Sequence, residues 1–66
     1  MEVIVNGEMR RFPDGMTVAQ LLKDMVLTDK RLAVEVNQEI VPRSTHGDYR
    51  LQAGDRVEIV HAIGGG

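Results

Sequence analysis

The chain has 66 residues, enough for one small domain but too few to line a sizeable internal cavity, which argues against a self-sufficient enzyme. Apolar residues make up 42% and charged residues 27%, the formal net charge is -2 with both signs interspersed, and only Phe12 and Tyr49 are aromatic, which excludes the basic, aromatic-studded surface of a nucleic-acid binder. The absence of cysteine excludes disulfides, thiol nucleophiles and thiolate-bound metals.

The chain opens straight into a strand pattern, with no basic segment ahead of a long apolar one, so no secretory leader is expected. No apolar run approaches the ~20 residues of a membrane span. A cytoplasmic protein that works through partners is the expectation. In the first run, Met1, Val3 and Val5 share one face at period two, and Glu2 and Ile4 share the other. Asn6-Gly7 is a strong hairpin signal, because a type I′ turn needs positive φ at both central residues. The returning strand, Glu8 to Phe12, then pairs Val5 with Glu8, Val3 with Arg10 and Met1 with Phe12. That register sets Arg10 on the inner face. Either its head reaches the rim, or a bulge turns Met9 inward instead.

Pro13-Asp14-Gly15 turns the chain. Thr17-Val18-Ala19-Gln20 reads as a capping box, with Met16 and Leu21 placed for a hydrophobic staple. Val18, Leu21, Leu22 and Met25 fall at i, i+3, i+4 and i+7, the buried stripe of one amphipathic helix. The helix is expected to fray around Val26 to Thr28. Asp29-Lys30-Arg31 reads as a solvated connection. Leu32, Val34 and Val36 form one face of a third strand, and Asn37-Gln38 turns into a short fourth strand, Glu39-Ile40-Val41. Pro42 cannot donate to a ladder, so that strand lies at an edge or ends there.

Arg43 to Tyr49 reads as a loop or a single helical turn. Ser44, Thr45 and His46 place hydroxyls near an imidazole, but adjacent residues rarely form an oriented nucleophile–base pair, and no third group orients them. His46 and His61 lack metal-ligand spacing and read as ordinary surface or partly buried histidines. Gly54 allows positive φ in the turn before the last strand. Arg56 to Ile63 alternates over the longest strand pattern, which belongs at the centre of the sheet.

A hairpin, a helix and three further strands make an α+β domain: a mixed sheet of about five strands with one main helix packed on one face. With the first and last strands side by side in parallel, this is the β-grasp, or ubiquitin-like, layout. Residues 1–63 are its expected extent. The second face of the sheet has no helix left to cover it. Ile4 and Val60 fall there and are expected to form a docking face.

Residues 64–66 are expected to form a flexible glycine tail. Gly64, Gly65 and Gly66 bring no side chain and leave a thin strip of backbone ending in a carboxylate. A loose terminus has the same composition. No paired carboxylates, metal cluster or phosphate-binding loop accompanies them, since the Lys and helix of a P-loop do not follow.

Val5-Asn6-Gly7, the Asp14-Gly15 turn ahead of Thr17-Val18 and Leu21-Leu22, Asn37-Gln38-Glu39-Ile40-Val41-Pro42-Arg43, Gly54-Asp55-Arg56-Val57 and the glycine end form one set of stretches. Together they resemble the ThiS family of thiamine-biosynthesis sulfur carriers. The resemblance covers essentially the whole chain. The Asn37 to Arg43 stretch separates it from the small subunit of molybdopterin synthase, which shares the fold and tail.

The resemblance implies a co-substrate rather than an enzyme, with no bound cofactor. An E1-like activating enzyme would use ATP to adenylate the terminal glycine carboxylate. A sulfur donor, of cysteine desulfurase or rhodanese type, would displace AMP and leave a thiocarboxylate. Thiazole synthase would receive the sulfur. Gly66 is then the modified residue, and Gly64 and Gly65 form the strip that enters a partner's channel. The family usually ends in two glycines and this chain in three, so Gly65 and Gly66 both stand as candidates for the reacting residue. Two other readings share these residues: a sulfur carrier for molybdopterin or tRNA thiolation, and a ubiquitin-like interaction module with an inert tail.

Overall fold

The computed structural model describes residues 1–27 and 31–61. Thr28 at the end of the expected fraying, the Asp29-Lys30 part of the expected connection, the glycine tail and the last two positions of the expected fifth strand lie outside the described residues. The order of elements is β1 (Glu2–Val5), β2 (Glu8–Arg11), α1 (Val18–Asp24), β3 (Leu32–Val36), β4 (Glu39–Val41), a 3₁₀ turn (Arg43–Thr45) and β5 (Arg56–His61). The five strands form one sheet in the order β2-β1-β5-β3-β4. β5 is central, parallel to β1 and antiparallel to β3, as the alternation and the element order predict.

Strand alternation builds the core. Val3, Val5, Val34, Val36, Val57 and Ile59 face α1 and are buried, and α1 answers with Val18, Leu21 and Leu22. Phe12, Val41 and Leu51 close the periphery, and Met16, Met25, Leu27 and Leu32 pack around it. The first hairpin is regular, with Val5 opposite Glu8 and Val3 opposite Arg10. The amide of Phe12 donates to the Met1 carbonyl at 2.9 Å, continuing the same register. There is therefore no bulge. Arg10 lies on the helix side, but at the outer edge of the sheet, where it stays exposed, and Met9 points away from the helix.

The capping box forms as read. The Gln20 amide donates to Thr17 Oγ1 at 3.2 Å, and the Thr17 amide donates to Gln20 Oε1 at 2.9 Å. The next two helical amides are satisfied from a distance: Val18 donates to the Tyr49 carbonyl and Ala19 to the His46 carbonyl, both at 2.9 Å. All four amides that a helix leaves orphaned at its start thus have partners. Replacing Thr17 with Ala is expected to lower stability by about 1 kcal/mol, read as the shift in urea midpoint at unchanged m-value.

The other end of α1 departs from expectation. It does not fray at Val26 but closes in a Schellman turn: Leu27 donates to the Leu22 carbonyl at 2.7 Å, and Val26 to Lys23 at 3.0 Å. Val26 takes φ 57°, a conformation usually given to glycine, and its side chain is 82% exposed. Nothing packs that side chain strongly enough to hold the strain. Val26→Gly should therefore stabilise the fold by about 0.5–1 kcal/mol, the left-handed penalty less the added entropy of the unfolded chain. Differential scanning calorimetry would show this as a higher Tm.

Two asparagines complete the sheet with side chains. Asn6 (φ 49°) and Gly7 (φ 84°) turn β1 into β2, and Asn37 (φ 53°) and Gln38 (φ 70°) turn β3 into β4. Each asparagine then reaches across to β5. Asn6 Oδ1 accepts from the Ile59 amide at 2.8 Å, and Asn37 Oδ1 accepts from the Arg56 amide at 3.0 Å. Each adds a rung to the ladder where the neighbouring strand has already turned away. Asn37 Nδ2 also donates to Asp55 Oδ1 at 3.0 Å.

Candidate functional site

The helix covers one face of the sheet and leaves the other open. By alternation the open face carries Met9 and Arg11 from β2, Glu2 and Ile4 from β1, Arg56, Glu58 and Val60 from β5, Ala33 and Glu35 from β3, and Ile40 from β4. Ile4 and Val60 both lie on it, Ile4 half-buried and Val60 52% exposed. They do not touch one patch, however. Ile4 stands level with Arg56, and Val60 is four residues further along β5, about 13 Å at the rise of a strand.

The apolar surface is instead two cross-strand pairs. Ile4 lies opposite Met9, which is 63% exposed, and Val60 lies opposite Ala33. Glu58 and Glu35, directly opposite each other, separate the two pairs. Ile40 forms a further apolar point at the β4 edge, 72% exposed. The sequence reading missed Met9 and Ala33 as members of this face. For Met9 the signal was present, since an Asn-Gly turn that pairs Val5 with Glu8 also pairs Ile4 with Met9.

Val60 is the second-last described residue before the glycines, so one apolar pair sits at the end of β5 from which the chain runs to residues 62–66. Gly64, Gly65 and Gly66 lie outside the described residues. β5 itself is held on both sides as far as Ile59: by β3 along its length, and by β1 followed by the Asn6 side chain. The strand leading to the tail is thus the most tightly integrated in the sheet.

The Ser44-Thr45-His46 group does not form a nucleophilic pair. Thr45 Oγ1 donates to the Pro42 carbonyl at 2.8 Å, and His46 Nε2 is bonded to the Val41 carbonyl at 3.0 Å. His46 is buried, and its own carbonyl takes a helix amide. The segment's work is structural: it caps α1 and ties it to β4. His61 is exposed at the end of β5. Among the described residues, no group of three or more His, Asp or Glu side chains is placed to hold a metal ion. No helix of the described residues is long and apolar enough to cross a membrane.

A groove of about 880 Å³ runs between the Pro13–Thr17 turn, the outer face of α1 and Gly47–Arg50. Arg50 spans it and donates from Nη1 to the Gly15 carbonyl at 2.9 Å. It is wide open to solvent and holds no convergent catalytic set.

A mixed five-stranded sheet with one helix on one face, and with its first and last strands parallel neighbours, is the β-grasp of the ubiquitin-like fold class. Within that class the chain belongs to the ThiS family, whose description matches residues 3–66. It is 30% identical to the sulfur carrier protein ThiS of Escherichia coli, over the whole of both chains. It is 44% identical to a thiazole synthase of Paramagnetospirillum magneticum over all of this chain, but spans only 20% of that protein's length. The fold superposes on the crystal structure of the thiamine biosynthesis protein ThiS of Geobacter metallireducens with a TM-score of 0.89, at 28% identity and with full coverage of both. The family is one of small sulfur carriers of thiamine biosynthesis rather than catalysts.

Proposed function

We propose that this protein is a sulfur carrier of thiamine biosynthesis that acts in the cytoplasm as a co-substrate of partner enzymes. The observation that carries this reading is the family match, which runs through the glycine end to residue 66 and not only over the folded body. The Gly66 carboxylate attacks the α-phosphorus of ATP held by an E1-like enzyme, forming an acyl adenylate and releasing pyrophosphate. A carboxylate is too poor an electrophile to accept sulfur without such a leaving group. Persulfide sulfur from a cysteine desulfurase or rhodanese-type donor then displaces AMP to form an acyl disulfide, and a second thiol attacks the donor's sulfur, forming a disulfide with the donor and releasing the thiocarboxylate. Thiazole synthase takes the sulfur from there. Gly64 and Gly65, with no Cβ, let the backbone pass through a narrow partner channel. The carrier itself binds no cofactor.

The open face docks the partner. Ile4 with Met9, and Val60 with Ala33, supply two apolar anchors, and the acidic row between them sets polarity. Val60→Glu should leave stability within about 0.5 kcal/mol, because the side chain is already exposed. It should raise the KM for the activating enzyme by about tenfold or more, as loss of an anchor residue does. An unchanged KM would remove Val60 from the docking surface.

The test of the whole reading is intact mass after incubation with activating enzyme, ATP and sulfur donor. The expected gain is that of one oxygen-to-sulfur exchange, confined to the C-terminal residue. The same measurement on protein from its own cells distinguishes Gly65 from Gly66 as the reacting end.

A further inference from the structure

Asn6 and Asn37 occupy matching positions and make matching bonds to β5, but they differ in two respects. The residue after Asn6 is Gly7, and a Cβ built there would meet nothing within 4 Å. The residue after Asn37 is Gln38. Asn37 Nδ2 is held by the Asp55 carboxylate, whereas among the described residues Asn6 Nδ2 and the Gly7 amide have no hydrogen-bond partner.

We infer that Asn6 is a site of spontaneous covalent modification, at which the Gly7 nitrogen cyclises onto the Asn6 side chain. The Gly7 nitrogen loses its proton and bonds to Asn6 Cγ. The Cγ–Nδ2 bond breaks, and Nδ2 leaves as ammonia. Water then opens the resulting succinimide at either carbonyl, giving aspartate or isoaspartate. No oxidant or reductant is involved.

Three features of the turn favour the step. The Ile59 amide, donating to Oδ1 at 2.8 Å, polarises the attacked carbonyl and stabilises the oxyanion that forms on it. The nucleophile is unbonded and unshielded, and the leaving nitrogen is free to take a proton. At Asn37 the following residue, Gln38, carries a side chain, and Asp55 holds the leaving nitrogen. In the isoaspartate product the main chain runs through Cγ. The two-residue loop gains a backbone carbon, and the Ile59 amide loses its acceptor. The modification therefore cuts a rung of the strand that leads to the glycine end.

The test is peptide mapping of the full folded chain held in mildly alkaline buffer, with parallel samples unfolded in urea and a Gln38→Gly variant. That variant keeps the left-handed turn and gives Asn37 a following glycine. The peptide containing Asn6 should gain the mass of an amide-to-acid exchange about tenfold faster than that containing Asn37, because only Asn6 is followed by a residue without Cβ. In Gln38→Gly, residue 37 should remain slower than residue 6, because its leaving nitrogen is still tied to Asp55. Faster amide exchange at Ile59 is expected in the isoaspartate fraction. The inference is overturned if residue 6 gains mass only in urea, if residue 37 of the variant matches it, or if Ile59 protection is the same before and after modification.

Discussion

A single bulky residue appended after Gly66 should abolish sulfur loading while leaving the fold untouched. The reacting group in the proposed function is a main-chain carboxylate, and a peptide bond at Gly66 removes it. The new terminal carboxylate lies about 3.5 Å further along the chain and carries a Cβ. It is both misplaced for attack on ATP and too wide for a passage shaped to glycine. The folded body ends its described ladder at His61 and makes no use of the added residue. The expected result is no oxygen-to-sulfur mass gain and a Tm equal to the parent's. Gly65→Val should behave similarly but less completely, because the carboxylate remains while the strip thickens. If the extended chain still acquires sulfur and retains its extra residue, the C-terminal carboxylate is not the carrier group.

Leu21→Ala should unfold the protein at physiological temperature. Leu21 is fully buried on α1, in the core that the sheet valines share. Truncating a buried leucine to alanine costs about 2–5 kcal/mol through lost transfer energy and the cavity left behind. A domain of this size has roughly 3–5 kcal/mol in total. A deletion that a larger protein would tolerate therefore consumes most of the available stability. Leu21→Met, which nearly conserves volume, should cost less than about 1.5 kcal/mol and stay folded. Urea titrations followed by circular dichroism separate the two. A folded Leu21→Ala protein with a midpoint near the parent's would mean that α1 contributes less to the core than its burial indicates.

Features encoded by neighbouring residues were legible before the structure. The Thr17/Gln20 box, the Asn6-Gly7 turn, the edge position imposed by Pro42 and the alternation of β5 each depend on a few adjacent side chains, and each appears as expected. What was not legible depends on partners far away in the chain. Nothing near Asn6 indicates that its side chain will complete a ladder at Ile59, nor does the 46–49 segment reveal that its carbonyls cap α1. The closure of α1 at Val26 was not legible because it rests on Leu27, which packs against the core and bonds back to the Leu22 carbonyl, with Val26 in a glycine conformation. For the candidate site, Ile4 and Val60 both lie on the face that the helix leaves open. Their separation required the β1–β5 register, which alternation alone does not supply.

The central place of β5 also governs when this surface exists. β5 is the last of the five described strands in chain order, yet it joins β1 to β3, so without it the sheet consists of two unconnected hairpins. Its parallel partners, Ile4 with Arg56 and Val5 with Val57, lie far apart in sequence, the kind of contact whose loop-closure cost slows folding. A chain interrupted ahead of β5 can form neither the sheet nor the Val60 anchor. A partner that docks on the open face, as proposed, therefore distinguishes by that contact alone a chain whose β5 is in place from one that lacks it.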